Sequence, residues 1–247
     1  MPADKHELTE KERDDIYTQA IYREYLGSST VVSSPSFYLL AGQPGAGKTT
    51  LQEHVKHNLA EPTPVVLNID DLREYHPDFK KLLASSDIST VIAAPKLVNE
   101  DSLYWFGRLL NDALSFPCSI ILDTALGSAA AGDYFSKSIE NIHNHGYSLH
   151  LNVLAVSQEV STLGIYLRFL RQLKSKGMGR MVSIKDIHDP YYKNLIPNIK
   201  RLLSAPQAQY FNSISVFKKK FLSNRAQSSI IGLNLFFQPK IRALLKI

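Results

Sequence analysis

The stretch Gly42-Gln43-Pro44-Gly45-Ala46-Gly47-Lys48-Thr49 fits the phosphate-binding pattern G-x-x-x-x-G-K-[ST] at every position. Such a loop works only between a buried strand and a helix. The flanks supply both: Phe37 to Ala41 is a short apolar run, and the segment from Thr50 to Leu59 spaces Leu51, Val55 and Leu59 four apart. Glycines let consecutive backbone N–H groups converge on phosphate oxygens, and the following helix adds its positive end. The pattern makes Gly42 through Thr50 an ATP-binding loop, with Lys48 reaching the β- and γ-phosphates and the Thr49 hydroxyl a ligand of Mg²⁺. A bare glycine turn has no use for Lys48 and Thr49 in those places.

The chain has 247 residues, 44% of them hydrophobic, enough for one α/β domain with additions. Its single cysteine, Cys118, lies between Phe116 and Ile120 and reads as a buried structural thiol. No apolar run of about 18 residues is present, and the N-terminus lacks a basic segment followed by an apolar one. The expectation is a soluble, cytoplasmic protein with no membrane partner. From Pro190 onward ten Lys and Arg face no acid, so the preceding residues carry a net −5 against the chain's +5. Such a basic end suits nucleic acid, an anionic substrate, an acidic partner, or plain solvation.

Residues 9–26 read as an amphipathic helix, with Thr9 near its start. Val65 to Ile69 is a continuous apolar strand of the buried parallel kind, and Asp70 and Asp71 follow at its C-terminal end. Asp71 reads as an N-cap with Glu74 completing a capping box, which leaves Asp70 to face the crevice as a general base. Residues 84–99 look irregular. Glu100 to Leu114 reads as a helix with Leu103, Phe106, Leu109, Leu110 and Ala113 inward, and Trp105 either packed or lining a pocket. Ser119 to Thr124 is a third strand tipped by Asp123, a carboxylate for Mg²⁺ or substrate, or else a turn residue. A helix from Asp133 to His145 and a strand from Leu149 to Val156 follow. His143, His145 and His150 lack metal-ligand spacing and read as surface or turn residues.

Val160 to Lys176 is a helix carrying Arg168 and Arg171, and Gly177-Met178-Gly179-Arg180 suits a lid whose guanidiniums stabilise a transferring phosphate. Ile184 to Leu203 reads as helical apart from Pro190 and Pro197, Ile214 to Ser223 as a strand pair around a lysine turn, and Ile241 to Ile247 as a short helix. The divisions expected are an N-terminal helix and linker (1–34), a P-loop kinase domain (35–225) and a basic extension (226–247). The fold class is α/β: a nucleotide-kinase-like parallel sheet flanked by helices, with helical additions at both ends.

The P-loop, then Asn68-Ile69-Asp70-Asp71-Leu72-Arg73 with His76-Pro77, resembles the zeta toxin family of bacterial toxin–antitoxin kinases. Ser161, Leu163-Gly164 and Arg168, then Arg180, His188-Asp189 and Asn194 to Pro197, look like the family's later motifs; together they span roughly residues 35 to 222. The resemblance implies ATP- and Mg²⁺-dependent phosphorylation of the sugar 3′-hydroxyl in UDP-N-acetylglucosamine. It makes Lys48 and Thr49 phosphate and Mg²⁺ ligands, Asp70 the base, and Arg168 and Arg180 the phosphate clamp. Arg73, His76, Asp123 and Thr124 become substrate-binding residues. A small helical antitoxin is the implied partner. Two departures stand out: the family's Glu-Gly-Thr at the third strand is here Asp123-Thr124-Ala125, and no glutamate lies near Gly107 to hold the sugar. A kinase acting on NAD or on a nucleic-acid 5′-hydroxyl, and a non-catalytic nucleotide-binding module, are the alternatives.

Overall fold

A computed structural model describes residues 7–59, 63–221 and 228–236. In chain order it contains α1 (Glu10–Ile16), a π-turn (Tyr17–Ile21) leading into α2 (Tyr22–Tyr25), β1 (Ser36–Ala41), α3 (Lys48–Asn58), β2 (Val65–Leu67), α4 (Ile69–Leu72), α5 (Phe79–Leu83), α6 (Ile88–Leu97), α7 (Asn99–Ser115), β3 (Ile120–Thr124), α8 (Ala131–Asn144), β4 (Ser148–Ala155), α9 (Gln158–Lys176), α10 (Asp189–Ser204), β5 (Phe211–Phe221) and β6 (Ser228–Phe236). The strands form one sheet in the order β2-β3-β1-β4-β5-β6. The first five run parallel, and β6 is antiparallel to β5.

Strand order puts β1 in the middle, with Leu39 opposite Leu122 on one side and Leu151 on the other. Because side chains alternate, Phe37, Leu39 and Ala41 join one core with Ile120, Leu122, Leu149, Leu151 and Val153. Leu40, Ile121, Leu154 and Phe217 form a second core under Leu51 and Val55 of α3. Helices on both faces are what an apolar parallel sheet requires.

Thr9 caps α1 in a capping box with Glu12. The α1–α2 segment then docks on α7. Arg13 bonds Asp101 at 2.5 Å, Arg108 and the Tyr104 hydroxyl both donate to Asp14 at 2.6 Å, and the Trp105 indole donates to the Arg13 carbonyl at 3.0 Å. Asp101 also accepts from His76 Nε2 at 3.1 Å, while His76 Nδ1 accepts from the Asp78 backbone. One buried carboxylate therefore ties the N-terminal helix, α7 and the turn after α4 together.

Five expectations are corrected. Residues 84–99 are not irregular: Asp87 caps α6 by accepting from Ser89 and Thr90, and Val91, Ala94 and Val98 pack on Phe79 and Leu83. In α7, Leu103 faces solvent and Trp105 is fully buried, so the inward row runs Asp101, Trp105, Leu109, Ala113 at intervals of four. Pro190 and Pro197 both lie within α10; the first sits in the opening turn, where no N–H is needed. The segment from Ile214 is a single strand, which runs through the three lysines and pairs with β6. The cap of α4 is Asn68 and not Asp71 (below). β6 continues the sheet from Ser228 to Phe236. The helix expected over Ile241 to Ile247 lies outside the described residues.

Asp101→Ala would remove the carboxylate that pairs Arg13 and accepts from the buried His76. A loss of about 3–5 kcal/mol in urea unfolding is expected; a loss below about 1 kcal/mol would show that the network does not anchor the N-terminal helix.

Candidate active site

The site lies at the C-terminal edge of the parallel strands, where β1, β2, β3 and β4 each deliver a loop. Gly45 and Gly47 have φ of 78° and 100°, the left-handed region the loop needs to turn its amides inward. Gly47 is the last residue before α3, so Lys48 and Thr49 start the helix. A Cβ on Gly45 would lie 2.0 Å from the Ser161 carbonyl oxygen, and one on Gly164 would lie 2.2 Å from the Gly45 carbonyl oxygen. Only glycine at both positions lets α9 lie directly on the P-loop. Gln43 is buried behind the loop, donating to the Val156 carbonyl at 2.7 Å and lying 3.3 Å from Ser161 Oγ. It braces the loop from behind. Pro44, Ala46 and Thr50 belong to the same turn and first helical residues, and Thr49 is exposed there.

Asn68, not Asp71, begins α4: its side-chain oxygen accepts from the Asp70 backbone N–H at 2.9 Å. Asp70 and Asp71 are thus inside the first helical turn. Asp70 sits between two guanidiniums, bonding Arg73 through one carboxylate oxygen and Arg180 at 2.5 Å through the other. Burial pushes its carboxyl up, but the Arg180 and Arg73 charges outweigh that and hold it down at about 2. Arg73 is itself pinned by Asn99 of α7 at 3.2 Å. Arg180 belongs to the loop beyond α9, its backbone N–H bonded to the Gln172 side chain at 2.9 Å.

Asp123 ends β3 and faces the P-loop: Lys48 Nζ lies 3.5 Å from it and donates to the Gly42 carbonyl at 2.9 Å. Burial raises the Asp123 carboxyl above its ordinary value, against the pull of Lys48. The Asn68 amide reaches Asp123 at 3.4 Å and so links the two acids.

Arg168 projects from α9 into the same cluster. Its Nε and Nη2 are buried and have no hydrogen-bond partner among the described residues, and Arg73 Nε is in the same position. Burial lowers both guanidinium pKa values, and the nearby Arg180 charge lowers them further. A buried cation without an acceptor is costly unless an anion comes to it. This is the strongest sign in the molecule of a phosphate-binding site, and it suits the triphosphate the glycine loop implies.

Lys48, Asp70, Arg73, Asp123, Arg168 and Arg180 lie together at this edge of the sheet. His76 does not: it is buried, with both ring nitrogens engaged by Asp101 and the Asp78 backbone, so it shapes the turn and does not face the cleft. The Thr124 hydroxyl accepts from the Leu126 N–H at 3.2 Å and turns toward its own loop. Asn68 and Asn99 do not stand out in the sequence; for Asn68 the available signal is an Asx residue two places before a strand-end acid. Ser161 and His188, 2.8 Å apart and both buried, are a further support, joining α9 to the turn before α10.

The solved structure reported as a molecular and structural characterization of the PezAT chromosomal toxin–antitoxin system of Streptococcus pneumoniae superposes with a TM-score of 0.68 at 19% identity, over 87% of this chain and 80% of that one. Among curated proteins, Toxin zeta of Streptococcus pyogenes is 25% identical over 72% of this chain and 60% of its own length. Toxin PezT of Streptococcus pneumoniae serotype 4 is 23% identical over 75% of this chain and 69% of its own length. The chain thus spans about 60% of the length of the Toxin zeta relative. The family model described as Zeta toxin matches residues 23–227, and with a P-loop, a clamped strand-end aspartate and converging arginines on that frame, the chain belongs to the zeta toxin family.

Proposed function

We propose that this chain is an ATP- and Mg²⁺-dependent kinase that phosphorylates a sugar hydroxyl of a nucleotide-linked acceptor, UDP-N-acetylglucosamine foremost, and acts in the cytoplasm as the toxin of a toxin–antitoxin pair. One observation carries the chemistry: a strand-end carboxylate, Asp70, lies among four cations, of which Arg168 alone makes no ion pair among the described residues. That set suits in-line phosphoryl transfer, in which the protein mostly positions groups and spreads charge. The family, and relatives named Toxin zeta and Toxin PezT, support the reading. The likeness to a structure of the PezAT toxin–antitoxin system supports an antitoxin as partner.

ATP supplies the phosphoryl group, and Mg²⁺ held by Thr49 would share its charge. In this reading Lys48 leaves Asp123 for the phosphates, Arg168 gains its missing acceptor, and Arg180 turns from Asp70 to the group in flight. Asp70 keeps Arg73, which fixes its direction. It takes the proton from the acceptor hydroxyl as that oxygen bonds to phosphorus and ADP leaves. A carboxylate held at about 2 is a weak base, so Asp70 orients the hydroxyl and receives the proton late; loss of Arg180 from its second oxygen strengthens it at that moment.

With labelled ATP and Mg²⁺, label should pass to UDP-N-acetylglucosamine, tested beside NAD and a 5′-hydroxyl oligonucleotide. Asp70→Asn should cut the rate by at least about 10²-fold, and Lys48→Ala should abolish it. Label on NAD or the oligonucleotide alone would reassign the acceptor, and equal transfer by Asp70→Asn would remove Asp70 as base.

Arg168→Gln should separate function from stability. Removing a buried, unpaired guanidinium leaves the thermal midpoint of the nucleotide-free protein unchanged or raised, while phosphoryl transfer falls by about 10³-fold or more. A lowered midpoint with activity retained would mean that Arg168 is structural.

A further inference from the structure

α9 is amphipathic in the wrong sense for a helix at the edge of a globule. Its inner face carries the buried Ser161 and Ile165, Gly164 against the P-loop, and Arg168. Its outer face, where charges normally sit, carries Leu163, Tyr166, Leu167, Leu170 and Leu173, between 39% and 58% exposed. Their steps of three and four place them on one stripe nearly three turns long. Scattered exposed leucines are ordinary, but a contiguous stripe marks an interaction surface.

The charges beside the stripe select its partner. Arg171 follows Leu167 by four residues and Lys174 follows Leu170 by four, and both are exposed. Glu159, in the first turn, is the only acid of the helix, against Arg168, Arg171, Lys174 and Lys176. A second copy of this chain would set two helices of the same net positive charge against each other, four cations to one acid in each. A helix with leucines on one face and glutamates flanking them would meet both features.

We infer that the outer face of α9, from Leu163 to Leu173, is a docking surface for an acidic amphipathic helix of a partner protein. The surface stands on its own geometry; that an antitoxin supplies the helix rests on the function proposed above.

The test uses the full chain and a labelled helical peptide of about 20 residues, with leucines three and four apart and glutamates elsewhere, beside a counterpart with lysines for glutamates. Fluorescence anisotropy should show saturable binding of the acidic peptide and at least tenfold weaker binding of the basic one. Leu167→Glu/Leu170→Glu, and separately Lys174→Glu, should each weaken the acidic peptide tenfold or more. Both exposed-site variants should keep the wild-type thermal midpoint and nucleotide binding. No binding, equal binding of both peptides, or equal binding by the variants overturns the inference. So does a wild-type dimer in sedimentation that Leu167→Glu/Leu170→Glu dissolves, since the occupant would then be a second copy. None of these readouts depends on phosphate transfer, so this inference and the proposed activity can fail separately.

Discussion

Four cations and two carboxylates share one small volume at the strand ends, and the pairing among them governs the rest. Asp70 neutralises Arg73 and Arg180, and Asp123 neutralises Lys48. Arg168 is left over. Such a cluster is tolerable only because each carboxylate offsets charge that would otherwise repel in a low-dielectric crevice. The scaffold holds it there: Asp70 by an Asn68 cap, Arg73 by Asn99, Arg180 by Gln172, and Asp123 by the rigid end of β3. In the function proposed above, a phosphate chain would replace the carboxylates as the counter-ion and so free the acids for the acceptor.

The scaffold gains its precision from close backbone approach as well as from charge. α9 rests on the P-loop through Gly45 and Gly164. The loop is also pinned from behind by Gln43, whose partner Ser161 is itself bonded to His188. The phosphate loop, the arginine helix and the turn before α10 are therefore one continuous contact, built from small residues and hydrogen bonds.

Much of this was legible in the sequence because it is local. A P-loop is a backbone conformation, and its glycines and lysine declare it. Asp70 and Asp123 follow apolar strands directly, and Arg168 and Arg180 fall on the helix and loop after β4, so topology alone brings them to one edge. What depends on pairing across the fold was not legible. Asn99 lies 26 residues from the arginine it holds. The buried row of α7 starts with an acid, Asp101, so apolar periodicity placed Leu103 inside and left Trp105 undecided. His76 carries a family motif but spends both nitrogens on structure. The lysines of β5 suggest a turn, yet the strand continues through them, paired with β4 as far as Lys218 and with β6 through Lys219 and Lys220.

Trp105 is the only tryptophan in the chain. Its ring is fully enclosed, and its indole N–H is given to a carbonyl of α1. The chain thus carries its single indole fluorophore at the seam between its N-terminal helix and α7. Its emission wavelength would report release of that helix without any label, and would do so apart from events among the arginines at the strand ends.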